Sequence, residues 1–172
     1  MTETKETNGA GKRPGQIILG WWSAALGKRE TGAQKGLSAR LRRGDDISVL
    51  CHKEVHDLAA QLGLGQYDGA KIARLARVLA HVREHSNATL PRKLGGKEPV
   101  LSPLRFDRLI HSEAEDLEAA IRRALPMVDN KANVAHLGEA LLFWTDKTRT
   151  NWCFEYYGAD APMTPTAEDI SK

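Results

Sequence analysis

Apolar residues recur at helical spacing along most of this chain, and nowhere do they alternate convincingly as a strand would require. The sharpest stripe is Ile72, Leu75, Ala76, Leu79 and Val82, in a helix predicted over 67–85. Lys71, Arg74, Arg77, His81 and His85 gather on its opposite side. Upstream, a helix over 16–26 carries Ile18, Leu19, Trp21 and Trp22; adjacent tryptophans point different ways, so one packs inward and the other is core or a contact between helices or partners. A second helix over 34–43 turns Leu37 and Leu41 inward, and Gly44 ends it. A third starts at Asp45 or Asp46 and runs to about residue 62, with Cys51, Val55, Leu58, Ala59 and Leu62 on one face.

The second half opens with a strong helix-start signal. Ser102 can cap free N–H groups, Pro103 suits the first helical position, and Leu101 with Phe106 can close over the cap. Ser112-Glu113-Ala114-Glu115 predicts a capping box for the next helix, which packs Leu117, Ile121 and Leu125 and stops at Pro126. Asp129 or Asn130 begins the last helical region, with Val134, Leu137, Leu141 and Trp144 inward. Asp146-Lys147-Thr148 interrupts it before Trp152, Phe154, Tyr156 and Tyr157, aromatics placed to seal a bundle.

These elements predict an all-α protein of two small helical bundles, or lobes, joined by a long basic Pro/Gly-containing loop over 86–101. The expected organisation is a disordered tail over 1–15, an N-terminal lobe over 16–95, a C-terminal lobe over 96–160 and a second disordered tail over 161–172. No apolar run approaches the about 18 residues of a membrane span, and the N-terminus lacks a signal-peptide core. Cys51 and Cys153 stand alone without a CxxC, which predicts neither a disulfide framework nor a cysteine-rich zinc site. The expected compartment is the cytoplasm. The formal net charge is +3, and the outer tails carry +1 and −2, leaving +4 on the residues between them. Arrangement therefore matters more than the total.

Candidate catalytic chemistry is sparse. His81-Val82-Arg83-Glu84-His85 matches the H-x-x-E-H order of inverted zinc proteases, which needs both rings on one side of a helix. It defines the alternative reading, a helical zinc-dependent hydrolase. No phosphate loop, paired carboxylates or Cys/His dyad stands out, and the leading reading needs no cofactor and no metal. What does recur is arginine in pairs beside apolar helical faces: Arg42/Arg43, Arg105/Arg108, Arg122/Arg123 and Lys147/Arg149, with Arg92 on the loop. The planar guanidinium fork suits phosphate oxygens, and several helices together could follow a nucleic-acid backbone without reading bases.

The order of these features resembles the CasB family, the small subunit of the type I-E CRISPR surveillance complex, Cascade. The residues that carry the resemblance are Trp21/Trp22, the run Gly36-Leu37-Ser38-Ala39-Arg40-Leu41-Arg42-Arg43, and Leu101 through Ile110. Leu117 through Leu125 and Leu141-Leu142-Phe143-Trp144 leading to Trp152 and Tyr156 complete it. The resemblance implies a two-lobed, all-helical subunit without catalytic activity, present in two copies among other Cascade subunits and CRISPR RNA. It implies contact with target DNA, including the displaced single strand, that stabilises the R-loop. By position it assigns strand-holding to Arg42, Arg43, Arg92, Arg105, Arg108, Arg122, Arg123, Lys147 and Arg149.

Overall fold

A computed structural model describes residues 11–158; the predicted tail over 161–172 and the first ten residues of the predicted tail over 1–15 lie outside them. Among the described residues the chain forms ten α-helices and one pair of two-residue strands. The fold is all-α, as the apolar periodicity predicts.

Helix α1 (Pro14–Ala25) starts two residues before the expected position, with Pro14 inside its first turn. Both tryptophans are buried, and each indole donates to a distant carbonyl: Trp21 to Glu54 at 2.7 Å and Trp22 to Leu79 at 3.1 Å. Helix α2 (Gly32–Arg43) begins in a Thr31/Gln34 capping box. The single helix expected over 45–62 is two: α3 (Asp46–Leu50), capped by the Asp45 carboxylate, and α4 (Lys53–Leu62). His52 adopts an extended conformation between them, which lets α3 pack on α5 while α4 packs on α1.

Helix α5 (Gly69–His81) is the central element, touching α2, α3, α4, α8 and α9. From Ile72 to Ala80 every residue except Arg74 is buried, so its burial is far wider than the predicted stripe. It ends four residues short of the expected stop. Val82 turns extended, and β1 (Glu84–His85) pairs in parallel with β2 (Lys131–Ala132). Arg29, in the left-handed region at φ 55°, reaches across to this helix end. Its guanidinium donates to the carbonyls of Ala80, Val82 and Gly27, and its Nε to Ser38 Oγ. A cation on the last carbonyls of a helix satisfies acceptors that no residue of the helix can reach. Burial, with Arg42 and Arg83 nearby, lowers the Arg29 pKa to about 10, so it remains a cation at neutral pH.

The long connection is partly ordered by α6 (Leu90–Leu94), whose Leu90, Pro91 and Leu94 are buried. Gly95 follows it where a Cβ would collide with the Tyr156 carbonyl oxygen, so only glycine fits. Helix α7 (Pro103–Ile110) starts as its sequence predicts: Ser102 Oγ accepts from the Arg105 N–H, and Leu101 and Phe106 are buried on either side of the cap. Phe106 stacks on Tyr156 at 3.9 Å between ring centroids, tying α7 to the last helix.

Helix α8 (Ala114–Ala124) does not use the predicted capping box. Ser112 Oγ donates instead to the Arg108 carbonyl at 2.7 Å, and the Ser112 carbonyl accepts from Trp144 Nε1 at 2.9 Å. With its serine turned back onto α7, α8 enters through Ala114 at φ 49°. Asp129 and Asn130 do not begin a helix either; both sit at positive φ and turn the chain into β2. Asn133 caps α9 (Val134–Leu142) instead, and Thr145 caps α10 (Asp146–Tyr156). The interruption therefore falls at 143–145, and Asp146, expected within the break, opens the helix.

One continuous buried set runs from Ile18 to Tyr156. Its most extensive inter-helix contact joins α1 to α9, the first and ninth helices, where Gly138 accepts Ile18 against its backbone.

Candidate nucleic-acid interface

Helix α8 is where three of the four predicted pairs meet. Its last turn carries Arg122 and Arg123, adjacent in sequence and therefore about 100° apart around the helix. They open onto two different recesses, one on each side of α8.

On one side lies an open groove of about 810 Å³, lined by Arg42, Arg43, Asp45, Asp46, Ile47, Glu115, Glu118 and Arg122. Arg42 donates to the Ser38 carbonyl one turn back at 3.3 Å, which lays its side chain along α2. Arg122 lies 3.9 Å from Glu118. The floor is a buried ion cluster. Arg77, predicted to face solvent with the other basic residues of its helix, is only 9% exposed. Its guanidinium forks onto Glu118 at 2.6 and 3.1 Å and reaches Asp46 at 2.7 Å. Arg77 turns inward because Glu118 presents a buried carboxylate from α8, and a paired arginine buries far more easily than a lone one. Hydrogen bonds donated to Glu118 and Asp46 raise the Arg77 pKa above its ordinary value. Arg77 Nη1 also donates to the Gly44 carbonyl at the end of α2 at 3.4 Å, so the cluster ties α2, α3, α5 and α8 together and the Arg42/Arg43 end of α2 lines the groove with Arg122.

On the other side lies a cavity of about 430 Å³ between α7 and α8. Arg105, Arg108 and Arg123 line it with Asp116 and Ser112, over a floor of Leu101, Leu109, Ala119, Ala120, Ala124 and Met127. Among the described residues none of these three guanidinium groups is ion-paired. Between Asp116 and Arg123, α8 lines this space with the short side chains of Ala119 and Ala120, with Ala124 beyond, which leaves it open. Sequence reasoning passed over Ala119, Ala120 and Ala124, because only the α7–α8 packing makes them line a recess.

The remaining predicted residues lie elsewhere. Arg92 is exposed on α6 and Lys147 is exposed on α10, and neither lines a recess with the others. Arg149 is held by Glu113 at 2.9 Å and Asp146 at 3.3 Å, with its guanidinium 5.6 Å above the Trp144 ring.

The geometry corrects the zinc alternative. His81 is the last residue of α5 and His85 lies in β1, so they do not share a helix face. His85 Nδ1 accepts from the Val134 N–H at 3.2 Å. Burial, with Arg122 and Arg42 close by, pushes the His81 pKa down to about 4. Among the described residues, no three His, Cys, Asp or Glu side chains are grouped to hold a metal ion.

Compared with known families, residues 38–157 match the sequence model of CRISPR-associated protein Cse2. No curated protein and no solved structure matches the chain.

Proposed function

The chain belongs to the Cse2 family, the CasB small subunit of type I-E Cascade, and from that premise we propose that it is a non-catalytic subunit that holds nucleic-acid backbone. It works without a cofactor, in the cytoplasm, beside other Cascade subunits and CRISPR RNA, with a second copy of itself. It grips the displaced strand and the guide–target duplex through phosphates. R-loop formation exchanges one duplex for another of similar stability, so a few kcal/mol of backbone contact can tip it.

The observation that supports this most is the convergence at α8. Six arginines from three helices, Arg42, Arg43, Arg105, Arg108, Arg122 and Arg123, border two adjacent recesses. A strand crossing the C-terminal turn of α8 would meet guanidinium forks on both sides. Arg92 and Lys147 extend the cationic surface as outlying contacts. Arg149 joins only by exchanging Glu113 or Asp146 for phosphate.

The test replaces Arg42, Arg43, Arg122 and Arg123 together by Ala. The fold should persist, because the buried Arg77–Glu118 pair is untouched, and target binding should weaken. Six phosphate contacts predict a log–log salt slope near about −4 for a single strand, falling to about −1 when four are removed. A flat salt response in the unmodified protein rejects the reading. The Arg149 ion pairs favour a second reading, a spacer whose arginines meet only protein carboxylates. It predicts that the variant fails to enter its complex.

A further inference from the structure

The two recesses beside α8 differ in chemistry. The groove at Arg42 and Arg43 has a charged floor, with the Arg77–Glu118–Asp46 cluster beneath it and the Asp45 and Glu115 carboxylates beside it. It can hold only the outside of a strand. The cavity between α7 and α8 has an apolar floor of leucine, methionine and alanine side chains under one carboxylate, Asp116, and three arginines that form no ion pair among the described residues. Its volume, about 430 Å³, lies within the ~300–1,000 Å³ usual for clefts that enclose small organic groups. A phosphate alone has no use for such a floor.

We propose that this cavity takes an unpaired nucleobase of the bound single strand, seated on Met127, Leu109 and Ala120, with the flanking phosphates on Arg105, Arg108 and Arg123. The proposal deepens the backbone-binding reading and rests on it. Bases turned out of a strand are held against apolar surfaces and stacked on guanidinium planes, with little dependence on sequence. Met127, 38% exposed, offers a polarisable thioether to a ring face. Charge complementarity selects the occupant: three cations against one anion suit a polyanion with an apolar appendage, and a nucleotide strand is one. Only a single strand qualifies, because in a duplex the base is already paired and stacked.

The test compares two labelled deoxythymidine strands of about 16 nucleotides, the upper end of usual single-strand sites, on the full-length chain at low salt. One is intact; the other has the same phosphates with abasic sugars. The expected result is about tenfold weaker binding of the abasic strand, the effect of one stacked base. Ala120→Leu, which fills the cavity floor, should bring the intact strand down to the abasic level while leaving the salt slope unchanged. Equal, salt-dependent binding of both strands by the unmodified chain overturns the base-binding cavity and leaves the backbone reading standing. Absence of binding to either strand overturns both. The strand comparison needs no variant, so it holds even if Ala120→Leu disturbs packing.

Discussion

Arg77→Met is the most informative single change in this molecule. Arg77 and Glu118 bury both side chains, at 10% and 8% exposure, and the fork between them joins α5 to α8. Removing the cation leaves the Glu118 carboxylate buried without its partner, a loss of about 3–5 kcal/mol. Asp46, at 45% exposure, turns to water and adds little. For a chain of this size each kcal/mol corresponds to about 2–4 °C in melting temperature, so the variant should melt about 6–20 °C lower by far-UV circular dichroism. Glu118→Leu added to Arg77→Met removes the stranded charge, and the double variant should recover most of the loss, since well-packed apolar side chains often replace a buried pair at no cost. A single variant within about 1 kcal/mol of the parent, or a double variant no better than the single, would refute the buried-pair argument. Because the same pair supports the groove, the single variant should also bind strands less well than its melting temperature alone explains.

Two further outcomes follow from local geometry. Gly138→Ala places a methyl group 2.7 Å from Ile18 Cγ2, so despite alanine's better helix propensity it should cost about 1–3 kcal/mol, read as a lower urea midpoint with unchanged slope. His81 has its pKa lowered from 6.5 to about 4 by burial and nearby arginines. Between those values the unfolded chain binds more protons than the folded one, so stability is full above pH 6.5 and falls as pH drops towards 4. His81→Gln should flatten that part of the profile in parallel urea titrations; an unchanged pH dependence would place the titration elsewhere.

Periodicity carried most of the helices into view because it reflects only which face is buried. The Ser102 cap was equally legible, since donor and acceptor lie three residues apart. What stayed hidden depends on partners distant in sequence. Arg77 reads as one more solvent-facing cation until Glu118, 41 residues away, is brought beside it. Arg29 looks like loop charge until the end of α5 arrives. The Ser112 box had the right letters, but the Arg108 carbonyl competed for the serine and won. The two-residue strands are too short to alternate. For the interface, the sequence offered arginine pairs without saying which share a recess. The division of Arg122 from Arg123 by the crest of α8, and the cavity beneath Arg123, depend on how α7 leans against it.

The pairing of α1 with α9 has a consequence during synthesis. Gly15 donates to Glu139, 124 residues later in the chain, and Gly138 receives Ile18 beside it. At about 5–20 residues per second, α1 leaves the ribosome about 6–25 s before its main partner is made. In that interval α4 and α5 can take up Trp21 and Trp22 through the Glu54 and Leu79 carbonyls, but the Ile18 side has nothing to lie against. The nascent chain therefore passes through a stage with a sticky seam on its first helix. A ribosome-bound chain halted before α9 should be the form most eager for a chaperone, and release of that chaperone should coincide with the appearance of Gly138.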